Sequence, residues 1–199
     1  MEIDVIAVGP MGANCYLVWK QKEAAVLIDP GADADKISRR LEEKGLMPCA
    51  VLLTHGHFDH AGAVAALKEK YPLEVVIGAE DEEMPGNPQQ DASALVGGQV
   101  ALFSIGRTVV DGERFMLGGI EFEALHTPGH TRGSMVYRSG GALFTGDTLF
   151  AGSVGRTDFY GGDFRALSAS LRRLSGLEGD YRVFPGHGPE TTLEAERRT

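Results

Sequence analysis

Three imidazoles and one carboxylate crowd into six consecutive residues of this sequence, directly after a short apolar run. The apolar run covers residues 50–53, and the polar cluster that follows consists of His55, His57, Asp59 and His60. The run predicts a buried strand, and residues 61–67 predict the first turns of a helix. Histidine and aspartate are common metal ligands, and four of them rarely gather without a metal. The cluster therefore predicts a metal site at a strand-to-helix junction.

The spacing within this cluster favours two metal ions over one. In an extended segment His55 and His57 point to the same side, because they are two residues apart. Asp59 and His60 lie where the chain turns into the predicted helix, so they can face a neighbouring position. Two groups of ligands predict two ions, whereas the alternative interpretation is a loop of solvent-facing polar residues.

Composition and charge limit the classes of protein and partner. The 199-residue chain is 43% apolar, enough for one substantial core, so we expect a single domain over residues 1–199. A formal net charge of −9, without any Lys/Arg run, argues against nucleic-acid and anionic-membrane partners. No apolar stretch approaches the roughly 18 to 20 residues of a membrane span. Residues 1–4 carry acids where a signal peptide needs a basic start, so a cytoplasmic location is expected. The sequence leaves the oligomeric state open.

Strand and helix patterns are separated by Gly/Pro turns along most of the chain. The predicted strands cover residues 3–8, 14–19, 24–29, 50–53, 74–77, 107–110, 113–117, 120–125, 134–137, 142–144 and 181–184. The predicted helices cover residues 33–43, with Asp33 as N-cap and Gly45 as C-cap, 61–70, and 164–174, with Asp163 as N-cap. Residues 80–99 lack a firm period and predict a surface excursion with one short helix near 91–95. Both halves of the chain therefore carry β and α elements.

Three more polar residues follow predicted strands in turns rich in glycine or proline. His130 lies in a Thr-Pro-Gly-His-Thr corner, Asp147 follows a strand, and His187 lies in Pro-Gly-His-Gly-Pro. Each alone is weak, because a single histidine in a turn is more often structural. Together with the cluster at 55–60 they match a metal site assembled from distant segments on a rigid scaffold. The remaining histidine, His126, is interpreted as a residue behind a ligand or in the wall of the site, with a hydrogen-bonded core histidine as the alternative.

The sequence resembles the metallo-β-lactamase superfamily along essentially its whole length. The matching motifs, in chain order, are HxHxDH after an apolar strand, HTPGHT, TGDTLF and PGHGP. Residues 149–159 and the final PGHGPETT are similar to the glyoxalase II-like hydrolases, the branch that also contains persulfide dioxygenases. The resemblance implies an α+β fold, the four-layer αβ/βα sandwich, with the site at one edge. The domain is expected to lack the helical C-terminal domain of full-length glyoxalase II.

The resemblance also implies a set of metal ligands. The first metal would be bound by His55, His57 and His130, and the second by Asp59, His60 and His187. Asp147 would bridge the two metals, and Asp59 and Asp147 would be the catalytic residues. These assignments agree with the two groups of ligands that the spacing predicts.

Two further residues have implied roles and plain alternatives. Asp29 matches the superfamily's early aspartate and is expected to hold a ligand histidine from behind, whereas the alternative is an aspartate that caps a turn. Arg156 lies where the family places a basic residue that contacts the glutathione carboxylate. The alternative for Arg156 is an exposed ion pair with Asp158.

The predicted function is hydrolysis of a small-molecule thioester, such as S-lactoylglutathione, with two divalent metal ions. Zinc is the expected metal, and iron and manganese are alternatives. The rival function is a persulfide dioxygenase, in which one Fe(II) is held by His55, His130 and Asp147. Acidic charge and the lack of an inserted domain disfavour a nuclease. The lack of an export signal and the presence of a bridging aspartate disfavour antibiotic hydrolysis, and a non-catalytic metal-binding module is the remaining alternative.

Overall fold

Two six-stranded β-sheets pack face to face in the protein, whose computed structural model describes residues 1–198. The first sheet has the order β1-β2-β3-β4-β5-β6. Its strands are β1 (Glu2–Val8), β2 (Ala13–Trp19), β3 (Ala25–Ile28), β4 (Pro48–Leu52), β5 (Glu74–Gly78) and β6 (Arg107–Val109). Strands β1 to β3 pair antiparallel, and β3 to β6 pair parallel. The parallel strands therefore end at one common edge.

The second sheet comes from the second half of the chain and has the order β14-β13-β10-β9-β8-β7. Its strands are β7 (Arg114–Leu117), β8 (Ile120–His126), β9 (Met135–Ser139), β10 (Ala142–Gly146), β13 (Arg182–Pro185) and β14 (Thr191–Thr192). A two-stranded ribbon, β11 (Leu149–Phe150) and β12 (Ser153–Val154), follows β10. Strands β10 and β13 are parallel, so their carboxyl ends lie side by side.

Helices cover the outer faces of both sheets. They are α1 (Ala34–Lys44), α2 (Phe58–Ala61), α3 (Val64–Lys70), α4 (Phe164–Ser175) and α5 (Leu193–Glu196). Leu41 and Leu67 belong to an apolar cluster with the first sheet, and Leu174 belongs to another with the second. A third cluster between the sheets includes Phe122 and Phe144. These layers confirm the predicted four-layer αβ/βα sandwich. No helix in residues 1–198 is long and apolar enough to cross a membrane.

The predicted strands, and the helices predicted over 33–43 and 164–174, agree with the structure to within about two residues at each end, whereas two local features differ. The predicted helix over 61–70 is divided, because the Ala63 N–H donates to the Pro30 carbonyl oxygen at 3.0 Å instead of continuing the helix. Asp33 occupies the N-cap position of α1 without capping it. Its carboxylate accepts from the Gly9 N–H at 2.9 Å instead. The predicted cap of α4 is confirmed, since the Asp163 side chain accepts from the Ala166 N–H.

Candidate metal centre

Three buried histidines from two distant loops form the first group of candidate ligands. His55 and His57 follow β4, and His130 lies in the loop after β8. His57 Nδ1 and His130 Nε2 are 2.9 Å apart. One ring nitrogen from each of the three lies within 4.8 Å of the others. Three imidazoles thus converge on one point, as the ligands of a metal ion do.

The second group combines one carboxylate with two imidazoles. Asp59 and His60 belong to α2, and His187 lies in the turn after β13. His187 Nε2 is 3.3 Å from Asp59 Oδ2 and 3.4 Å from His60 Nε2. The ligand atoms of these three residues also lie within 4.8 Å of one another. A second point of convergence therefore lies beside the first.

The Asp147 carboxylate lies between the two groups. It follows β10, and its Oδ2 is 3.5 Å from His130 Nε2 in the first group. Its Oδ1 is 3.4 Å from His60 Nε2 in the second group. Oδ2 also lies 3.7 Å from His187 Nε2 in the second group. The carboxylate thus lies close to histidines of both groups, which suits a ligand shared by two ions.

Hydrogen bonds decide which ring nitrogen of two histidines faces the centre. The Thr54 hydroxyl donates to Asp29 Oδ2 at 2.6 Å, so its oxygen must accept from His55 Nδ1, 3.0 Å away. His60 Nδ1 also lies 3.0 Å from Asp29 Oδ2 and donates to it. In the neutral ring, the Nε2 lone pair of His55 is therefore left for the centre, and a bound cation would free the Nε2 lone pair of His60 by displacing its proton. Asp29 contacts a histidine of the cluster from behind, where a partner of this kind fixes the orientation of a ligand.

His130 is oriented by the backbone of a different segment. Its Nδ1 lies 2.8 Å from the carbonyl oxygen of Arg156, which can only accept, so Nδ1 carries the hydrogen. Its Nε2 lone pair therefore faces His57 and Asp147. The contact uses the main chain of Arg156 and does not depend on the guanidinium.

Charges at the centre favour a bound cation. Burial and the neighbouring imidazoles of His60, His130 and His57 hold the pKa of His55 well below its usual range. Burial acts the same way on His60, but the carboxylates of Asp147, Asp59 and Asp29 outweigh it and raise the pKa of His60 to about 10. The imidazole of His55 is thus kept neutral and ready to ligate. His60, in contrast, is surrounded by carboxylates that need positive charge nearby.

Buried polar atoms without partners agree with this preference for a cation. Among the described residues, three atoms of the cluster are buried and make no hydrogen bond: His55 Nε2, His57 Nε2 and Asp147 Oδ1. Polar atoms rarely remain so unless an ion or water satisfies them. The absence of a side chain at Gly186 also leaves space beside Asp147 and His60. A Cβ added at Gly186 would lie 2.2 Å from Asp147 Oδ1 and 2.7 Å from His60 Cε1. Nitrogen and carboxylate donors with unused lone pairs fit divalent ions such as zinc, iron or manganese.

Asp81 is a buried carboxylate that the sequence analysis did not single out. It is 1% exposed and lies at the end of a 3₁₀ turn after β5. Its Oδ2 accepts from the Gly56 N–H at 3.1 Å and from the Thr131 hydroxyl at 2.7 Å. Its Oδ1 accepts from the Gly133 N–H at 2.7 Å. Asp81 thus ties the loop of His55 and His57 to the loop of His130.

Only a weak sequence signal pointed to Asp81. It opens residues 80–99, which lack periodicity and were expected to form a surface excursion. The one available indication is a carboxylate just past β5, the strand that pairs in parallel with β4. Carboxyl ends of neighbouring parallel strands lie together, so such a residue can reach the loop after β4.

His126 does not reach the cluster. Its Nε2 lies 2.7 Å from the Arg132 carbonyl oxygen and 3.9 Å from a Glu80 carboxylate oxygen. It lines a separate surface depression with Gly129. The expectation that His126 lies behind a ligand or in the wall of the site is therefore not met. The turn at residues 127–130 places His130 at the centre, whereas His126, which precedes the turn, lies outside it.

Arg156 lines the cleft at the centre and is also paired at the surface. Its Nε and an Nη each lie 2.6 Å from an oxygen of Asp158, so the ion pair raised as the alternative is present. Its guanidinium also lies 3.8 Å from the ring centre of Phe159. The cleft has a volume of about 740 Å³ and contains His57, Asp59, His130, Asp147 and His187. Both the arginine and the cluster therefore open onto the same space.

Residues 8–187 match the family model described as the metallo-beta-lactamase superfamily. The chain is similar to the hydroxyacylglutathione hydrolase GloC of Haemophilus influenzae, with 37% identity over 100% of this chain and 96% of that protein. Full-length similarity at this level extends beyond the ligand motifs.

Solved structures agree on the fold. The structure of the BLEG-1 B3 metallo-beta-lactamase has 34% identity to this chain and a TM-score of 0.95, covering 100% of this chain and 97% of that one. A di-iron-bound form of TTHA1623 has 40% identity and a TM-score of 0.88, covering 98% of each chain. ETHE1 from Myxococcus xanthus has 30% identity and a TM-score of 0.83, covering 100% of this chain and 82% of that one.

Proposed function

This chain belongs to the metallo-beta-lactamase superfamily, and on that premise we propose that it is a metal-dependent hydrolase of thioesters of the S-acylglutathione type. The observation that carries the proposal is the position of the Asp147 carboxylate, which lies between two groups of ligands and close to both inside an open cleft. The similarity to a hydroxyacylglutathione hydrolase supports the substrate class.

Seven residues would hold the two ions in this proposal. His55, His57 and His130 would hold the first ion, Asp59, His60 and His187 the second, and Asp147 both. Two such ions, when bound, supply a hydroxide at neutral pH and polarise a carbonyl group. The described arrangement thus needs no serine or cysteine nucleophile.

The protein's own groups position this chemistry and move its proton. Asp29 and the Arg156 carbonyl hold His60 and His130 with their Nε2 lone pairs inward. Water oxygen forms a bond to the acyl carbon, and the carbon–sulfur bond breaks. Asp59 takes the proton of the attacking water, and the departing thiolate receives it, so the products are one carboxylic acid and one thiol.

A persulfide dioxygenase is the second candidate, because residues 149–159 resemble a branch that contains such enzymes and because the chain is similar to the ETHE1 structure. A single iron would need only His55, His130 and Asp147 as a two-histidine, one-carboxylate face. The complete second group, Asp59 with His60 and His187, weighs toward the two-metal hydrolase.

Oxygen dependence separates the two functions. We expect metal-replete protein to release thiol from S-lactoylglutathione under strictly anaerobic conditions, and to consume no O₂ with glutathione persulfide. A chromogenic cephalosporin serves as a further substrate because one similar structure is that of a lactamase, and its kcat/KM should fall well below that of the thioester. Oxygen uptake with sulfite formation and no thioester turnover would overturn the hydrolase assignment.

A further inference from the structure

The cleft at the metal centre is apolar nearly everywhere outside the cluster itself. Apart from the histidines and aspartates of the cluster, Arg156 is the one polar residue among those that line it. The apolar lining comes from segments far apart in the sequence and includes Met11, Leu95, Val96, Phe150, Val154 and Phe159. Several separate segments thus contribute the same kind of surface to one site.

Much of this apolar surface faces solvent. Leu95 is 69% exposed, Val96 57% and Met11 54%. Exposed apolar side chains are common singly, but a contiguous group beside polar ligands marks a surface that a ligand covers. The exposed group is continuous with the metal centre, because the same cleft contains His57 and Asp147.

The segment that presents Leu95 and Val96 is held firmly beside the ligands. The Phe58 N–H, next to His57, donates to the Asp91 carbonyl oxygen at 2.9 Å. The buried Asp91 carboxylate accepts from the Gly86 and Ser93 N–H groups at 3.1 and 2.9 Å. These bonds fix the start of the 3₁₀ turn Ser93–Val96, so the exposure of its two apolar side chains is built into the fold.

Few charged side chains in the cleft are available to bind a polar group of the substrate. Arg156 is the only arginine or lysine in the lining, and Asp158 already contacts it through two hydrogen bonds. It can serve one carboxylate at most. The apolar side chains of the lining offer neither charge nor hydrogen bonds to a second carboxylate or to an acyl hydroxyl group.

From these observations we infer that the cleft binds an extended, apolar acyl chain, so that the preferred substrates are thioesters of medium-length fatty or arylalkyl acids and not of small hydroxy acids. The inference rests on the proposed thioester hydrolysis and specifies its acyl group. The acyl carbonyl must lie at the cluster, and the chain attached to it then contacts the surface formed by Leu95, Val96 and Met11.

A chain-length series tests this directly. Hydrolysis of acetyl-, butyryl-, hexanoyl- and octanoyl-glutathione is compared with that of lactoylglutathione, by thiol release from metal-replete protein. We expect kcat/KM to rise about three- to fourfold per methylene until the cleft is filled, as burial of one CH₂ predicts. Thiol release that is flat or falls with chain length would overturn this inference alone. No thiol release from any member would overturn the proposed function, and the inference with it.

Two exposed leucines, Leu95 and Leu102, provide a matched pair of variants. Leu95→Asn should flatten the dependence of kcat/KM on chain length, because it removes apolar surface inside the cleft. Leu102→Asn should keep the full dependence, since Leu102 is 77% exposed and does not line the cleft. Equal slopes for Leu95→Asn and wild type, with normal metal content in both, would contradict the assignment of this surface to the acyl chain.

Discussion

At the scale of single residues, two carboxylates that contact no substrate decide the geometry of the centre. Asp29 fixes the ring orientation of His60 directly and of His55 through the Thr54 hydroxyl. Asp81 fixes the spacing of the two loops that supply the first group. Burial raises the pKa of Asp81, and the three hydrogen bonds it accepts act against that rise.

Asp81→Asn should loosen the first group of ligands. An amide has one acceptor oxygen where the carboxylate has two, so at least one buried donor loses its partner, at a cost of about 1–3 kcal/mol in the free energy of unfolding. We expect metal affinity, measured by chelator competition, to fall about tenfold or more. Asp35→Asn is the control, because the Asp35 side chain is 84% exposed and its carboxylate is paired with Lys70. Unchanged affinity in Asp81→Asn would show that the loops hold their spacing without it.

Arg156→Ala should weaken binding of the thiol half of the substrate. If the guanidinium exchanges Asp158 for a glutathione carboxylate, its loss raises KM about tenfold and lowers kcat less, since the contact exists before and during the reaction. His130 should keep its orientation, because it bonds to the main chain of residue 156. Asp158→Asn should lower KM by freeing the arginine. A KM that is unchanged in both variants would leave Arg156 with the surface ion pair alone.

At the scale of elements, most ligands lie just after strand ends, and a glycine without a side chain leaves the space that they occupy. Gly186 directly follows β13, and a Cβ there would enter the space between Asp147 and His60. Gly186→Ala should therefore lower metal content and thiol release at least tenfold. Gly141→Ala is the matched control, since Gly141 also adjoins a strand and its added Cβ would meet nothing within 4 Å. Full metal content in Gly186→Ala would mean that the turn can move aside.

The elements also show which structural features can be predicted from local sequence patterns. Strand ends and the cap of α4 were predictable, because apolar runs, Gly/Pro turns and an N-cap aspartate act over a few residues. The division of the helix predicted over 61–70 was not predictable. It depends on a hydrogen bond to the Pro30 carbonyl oxygen, and Pro30 lies just after a different strand, β3. The same limit hid Asp81, whose partners Gly56 and Thr131 are distant in sequence.

At the scale of the whole molecule, the two sheets join at the centre. Asn14 and Tyr16 of β2, in the first sheet, donate to the Pro185 carbonyl oxygen at the end of β13, in the second sheet. The Asn14 side chain also donates to the Gly188 carbonyl oxygen at 2.8 Å. His187 lies between these two anchored residues. Ligands supplied by both halves of the chain thus depend on the packing of the complete sandwich.

The number of metal ions per chain tests the account most directly. Metal-free protein is titrated with Zn²⁺, and bound metal and thiol release from S-acylglutathione are followed together. We expect two ions per chain, full activity only when both are bound, and loss of both occupancy and activity in Asp147→Ala. Saturation of binding and activity at one ion, with His60 and His187 dispensable, would contradict the two-metal centre.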